Sequence, residues 1–125
     1  MNVLVDSFGW IEYFSEGPLV NKYKPYIEKA NPETHITPTI VIYEVYKRLK
    51  IKVSEEIALK AIAHILTYTK LVPLNDNLAL GSAEKSIKYK LAMADSIVKT
   101  TADYFGAQLI TSDPDFKGLE NVVLL

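Results

Sequence analysis

Four acidic side chains stand where carboxylates could act together: Asp6, Glu44, Asp95 and Asp113. Asp6 closes a short apolar run, Asn2-Val3-Leu4-Val5, that reads as a buried strand leading into a helix. Asp113 stands just past a second such run, Gln108 to Thr111. Asp95 lies in the first turn of a helix whose Leu91, Ala94, Val98, Ala102 and Phe105 recur at helical spacing as an apolar stripe. Glu44 is the only charge in the first two turns of a nearly apolar helix capped by Thr39. Ligands of open parallel sheets bind beyond the carboxyl ends of the strands, and all four acids are expected on that rim. Carboxylates on an apolar edge are costly unless they cap a helix, find a partner or hold a cation. Hard oxygen donors suit Mg²⁺ or Mn²⁺. The chemistry expected is phosphodiester cleavage, with metal polarising the phosphate and activating water.

Each acid also has an ordinary role open to it. Asp6, Asp95 and Asp113 could each cap a helix, and Pro114 is a suitable first residue after such a cap. Glu44 could pair with Arg48 one turn on. Asp115 could be an outer ligand. Asp103 reads as a solvated helix residue, Asp76 as part of a cap, and His35 and His64 as structural. The tyrosines fall at packing positions, and no glycine-rich phosphate loop or nucleophile elbow is present.

The elements that must position the acids follow in alternation. A short helix spans Phe8 to Phe14, and a second covers Leu19 to Ala30. His35 to Thr37 forms a strand, followed by a helix to about Ile51. Ser54 caps a helix to Tyr68, Lys70 to Leu74 is a strand, and Asn75 caps a helix through Ile87. The Asp95 helix opens at Leu91 and stops at Gly106; a last strand covers Val122 to Leu125. Alternating strands and helices predict βαβ units, hence a parallel sheet covered on both faces. A chain of 125 residues is expected to form one domain, 1–125. A hydrophobic fraction of 49% excludes a disordered chain. A net charge of −1 supplies no global basic field, and without cysteine neither disulfides nor thiolate metal sites can form. With no signal peptide or membrane-length apolar run visible, a cytoplasmic protein is expected. Lys47, Arg48, Lys50, Lys85, Lys88 and Lys90 could steer a polyanion or simply be solvated.

Val3-Leu4-Val5-Asp6-Ser7 resembles the opening of PIN domains. Met93-Ala94-Asp95-Ser96-Ile97-Val98 with Ala102 and Gly106-Ala107 resembles their most recognisable segment, and Leu109 to Phe116 their strand-plus-acid motif. The resemblance covers the whole chain. At this length it is to the toxin component of VapBC toxin–antitoxin pairs. It implies a three-layer α/β/α domain with a five-stranded parallel sheet and a Mg²⁺- or Mn²⁺-dependent ribonuclease. Asp6, Glu44, Asp95 and Asp113 match the family's acidic cluster; Ser7 and Thr111 match its small hydroxyl residues. Asp6, Asp95 and Asp113 are then ligands of one or two ions, with Glu44 a ligand or base. The partners implied are RNA, a cognate antitoxin and a second copy of the chain. Ser112 departs from the basic residue that many such toxins carry there. An RNA-processing or RNA-binding PIN domain without antitoxin is the near alternative. A phospho-receiver domain is the remote one, because the third strand ends in Leu74-Asn75-Asp76 where its acceptor aspartate should stand.

Overall fold

The computed structural model describes residues 2–125. Strand β1 (Asn2–Val5) leads through Asp6 into α1 (Ser7–Ser15). Helix α2 (Val20–Ile27) is shorter than expected, carrying Pro25 inside it, where the ring removes a helical N–H donor. Strand β2 (Ile36–Pro38) passes directly into α3 (Thr39–Lys52). Thr39 is therefore the first helical residue and not the cap; Pro38 holds the extended cap position and makes no side-chain capping bond. Helix α4 (Glu55–Tyr68) starts as expected, with the Ser54 hydroxyl accepting from the Ile57 N–H at 3.1 Å. Strand β3 (Lys70–Val72) stops short at Pro73, which cannot donate to a ladder. Helix α5 (Asp76–Tyr89) is capped by Asn75. Helix α6 opens at Met93, not Leu91, and runs to Tyr104, with Ala92 extended before it. Strand β4 (Ala107–Thr111), a 3-10 turn (Pro114–Phe116) and strand β5 (Val122–Leu124) complete the chain.

All pairings are parallel, and the strands lie in the order β3-β2-β1-β4-β5. The expected five-stranded sheet is, however, divided into a three-stranded sheet, β1-β4-β5, and a two-stranded one, β2-β3. A single bridge, Val3 to His35, joins them, with the Val3 N–H donating to the Thr34 carbonyl at 2.8 Å. Beyond that bridge β1 stays with β4, as the Asp6 N–H bonds the Ile110 carbonyl, while β2 runs into Pro38. The fold is the three-layer α/β/α type. Leu4, Val5, Ile36, Val72, Ala107, Leu109 and Ile110 are the strands' buried hydrophobic residues; Val41, Val45, Leu49, Ala58, Ala61 and Ile65 join the core from α3 and α4.

Helix α6 is covered almost all round, because every residue from Ser96 to Ala102 is buried. That includes Lys99, a position the apolar stripe did not mark. At the other side of the core, α1 approaches its neighbours closely at Gly9, where an added Cβ would stand 2.6 Å from the Tyr23 ring and from Val5 Cγ1. Gly9→Ala is expected to lower stability by about 1–3 kcal/mol through overpacking, read as a lower urea midpoint at an unchanged denaturant slope.

Candidate metal centre

The acids reach the rim from four elements. Asp6 caps α1, its Oδ1 accepting from the Ser7 N–H at 2.7 Å. Its Oδ2 accepts from the Thr111 hydroxyl at 2.9 Å, at the end of β4. The same hydroxyl oxygen accepts from the Asp113 N–H at 3.0 Å. Thr111 thus ties the first acid to the loop carrying the last. Asp113 caps the 3-10 turn, its Oδ1 accepting from the Asp115 N–H at 2.9 Å. The capping roles of Asp6 and Asp113 are real, and each uses only part of its carboxylate. Asp95, in contrast, stands in the first turn of α6 and is not its cap.

Asp95, Asp113 and Asp115 each place a carboxylate oxygen so that all three lie within 4.8 Å of one another. Asp115 is therefore part of the tightest cluster. Asp6 and Glu44 stand beside this group as charged neighbours and are not in the triad itself. Asp6 is 2% exposed. Burial first, then the nearby Glu44 and Asp113, push its carboxyl up to about 6, against the pull of its bonds from Thr111 and Ser7. Asp95 is likewise raised to about 6 by burial, followed by Asp113, Asp6 and Asp115. Glu44 is raised by burial and by Asp95, while the Ser7 hydroxyl and Arg48 act in the opposite direction.

Among the described residues no lysine or arginine forms an ion pair with these acids, and Arg48 offsets Glu44 only from a distance. The expected alternative for Glu44, pairing with Arg48, is not formed within 4 Å; the guanidinium lies 5.8 Å from the centre of the Phe8 ring instead. Like charges at this spacing, built wholly of hard oxygen donors, fit a divalent ion of the Mg²⁺ or Mn²⁺ kind. The histidines stay apart. His35 is held by the Thr34 hydroxyl and the Tyr26 carbonyl, and His64 packs among Trp10, Phe14 and Tyr68.

One supporting residue escaped the sequence reading. Tyr23, fully buried in α2, donates its hydroxyl to Ser112 Oγ at 2.7 Å and so anchors the residue before Asp113. Burial pushes its phenol up to about 12. Nothing in its spacing separates it from the other packing tyrosines. Thr111, by contrast, was marked only by the family resemblance, and its hydroxyl serves two acids. Thr111→Val is expected to cost about 1–3 kcal/mol, since the Asp113 N–H loses its acceptor and Asp6 a donor. Chemical denaturation reads the cost, and a weaker Mn²⁺ titration reads the displaced loop.

A parallel α/β/α fold with an acid cluster at the ends of β1 and β4 defines the PIN class of domain. The family model for the PIN domain matches residues 3–121, and the chain belongs to that family. Among solved structures, a toxin–antitoxin complex from Klebsiella pneumoniae is 26% identical, with 98% of this chain and 96% of that chain covered and a TM-score of 0.79. VapC20 from Mycobacterium tuberculosis, a sarcin–ricin-loop-cleaving toxin, is 16% identical, with 95% of each chain covered and a TM-score of 0.80. VapBC2 from Rickettsia felis, bound to a DNA fragment of its promoter, is 14% identical over 100% of this chain and 98% of that one, with a TM-score of 0.74. No curated protein matches the sequence. Among the described residues no helix is long and apolar enough to cross a membrane.

Proposed function

We propose that this PIN domain is a Mg²⁺- or Mn²⁺-dependent endoribonuclease, acting as the toxin of a toxin–antitoxin pair. The observation that carries the reading is the set of five acids, three with oxygens within 4.8 Å, that form no ion pair among the described residues. Asp95, Asp113 and Asp115 would hold the ion, with Asp6 completing the negative wall behind them. Bound there, the ion supplies Lewis acidity, which offsets phosphate charge and eases loss of a proton from water. Glu44, half-buried and raised above the usual carboxylate range, is suited to take that proton. Thr111 and Ser7 keep Asp6 oriented toward the cluster. Hydrolysis by water leaves a 5′-phosphate and a 3′-hydroxyl. Kinship with toxin–antitoxin complexes supports an antitoxin partner; a homodimer acting in the cytoplasm completes the proposal.

End-group analysis of RNA fragments tests the reaction. Fragments that can be ligated through a 5′-phosphate, formed only with added Mn²⁺ or Mg²⁺, support it. Fragments ending in a cyclic phosphate, formed equally in chelator, would sink it.

A further inference from the structure

Away from the acid cluster, α6 carries a second charged group that the proposed reaction does not use. Lys99, one turn beyond Asp95, is 3% exposed, and its ammonium donates to Asp103 Oδ1, one turn further on. The other oxygen of Asp103 takes Lys85 of α5 at 3.0 Å. Two ammonium groups therefore share one carboxylate; Lys99 is buried, while Lys85 and Asp103 stay partly open to solvent. They line a cavity of about 600 Å³ with Lys88, Gly118 and Glu120. Three lysines against Asp103 and Glu120 leave this wall one positive charge in excess. Each ammonium has three N–H donors, so both bridged lysines keep donors to spare. Thr100, whose buried hydroxyl has no partner, lines an adjoining cavity that shares Lys85, Lys88 and Asp103.

The cavity and the acid cluster lie on the same two segments. Asp113 and Asp115 stand beside Asp95 at the start of α6, while Gly118 and Asn121 line the cavity with Lys99 and Asp103 further along it. Helical rise puts Lys99 about 6 Å and Asp103 about 12 Å along the axis from Asp95. A strand reaching from one to the other would span a few nucleotides.

We infer that this lysine-lined cavity is a phosphate-binding site. Its chemistry is that of a phosphate group, which fills the excess charge and accepts from the free ammonium donors. On the ribonuclease reading, on which this choice of source rests, the phosphate belongs to the RNA strand away from the bond being cut. A free phosphate ion shares the chemistry and is the other source.

The test uses the full chain, labelled at its lysines, in chelator so that RNA is not cleaved. Inorganic phosphate and a short oligouridylate are titrated separately while the Lys85 and Lys99 side-chain NMR signals are followed. Saturable shifts of both signals with either probe, competition between the two, and about ten-fold weaker binding of each to Lys85→Gln are expected. Lys60→Gln, on α4, should leave both titrations unchanged. Shifts with phosphate but not with the oligonucleotide assign the site to a free ion and overturn its role in holding the strand. Unshifted Lys85 and Lys99 signals with both probes overturn the site altogether. A Mn²⁺ cleavage assay run in parallel separates the two readings. If RNA is never cut while phosphate still shifts both lysines, the ribonuclease reading fails and the cavity assignment stands.

Discussion

Asp6→Asn is expected to abolish metal-dependent RNA cleavage and, in chelator, to make the protein more stable. Asp6 is buried with no cation beside it, and its folded-state carboxyl is raised from 3.8 to about 6. The folded protein therefore binds this proton more tightly than the unfolded chain does. Ionising Asp6 costs stability: the cost is small below about pH 4, grows between about pH 4 and 6, and is constant above. A shift of this size corresponds to about 3 kcal/mol at neutral pH. Asparagine can still accept from Ser7, but its amide meets the Thr111 oxygen, leaving that hydroxyl proton to find another acceptor. A net gain of about 2 kcal/mol, or about 8 °C in Tm, should remain at pH 7 and shrink toward pH 4. Activity should fall by more than the ~10–100-fold that loss of a ligand's outer partner costs. Denaturation in chelator across pH reads the first effect. A variant less stable than wild type at pH 7 would show that the hydrogen bonds of Asp6 outweigh its burial.

The second large effect is on Mn²⁺ binding as pH changes. Asp95 and Asp6 are both held near 6 by burial and by the surrounding acids. Below that pH the metal-free site keeps these protons, and an incoming cation must displace them. Affinity should therefore climb from pH 5 to 7, by about ten- to a hundred-fold for one or two protons released, and level off above about pH 7. Calorimetry in buffers of different protonation enthalpy counts the protons. Affinity flat from pH 5 to 7 would mean that the ion does not engage these carboxylates.

Much of this was legible in the chain because the signals were local. Ser54 and Asn75 cap their helices through the next turn's N–H groups, and Asp6 lies at a strand-to-helix junction that short-range pattern marks well. The tertiary details were not. The split in the sheet depends on how β2 runs into Pro38 while β1 follows β4, which no window of residues reports. The role of Asp115 stayed open, because sequence spacing does not show that the 3-10 turn brings its carboxylate beside Asp95. Spacing alone left pairing with Arg48 open to Glu44, but the guanidinium lies over Phe8 instead. Lys99 carries no signal of burial, since its cover comes from α5 and from the loop before β5.

The most direct test of the central claim is RNA cleavage by wild-type and Asp95→Asn proteins purified identically, each with Mg²⁺, with Mn²⁺ and with chelator. Asp95 adjoins Asp113 and Asp115 and caps no helix, so its loss should remove the ion without removing a cap. Cleavage by the wild type that requires metal, and that vanishes in the variant, is the predicted result. Equal cleavage by the two proteins, or cleavage that persists in chelator, would contradict it.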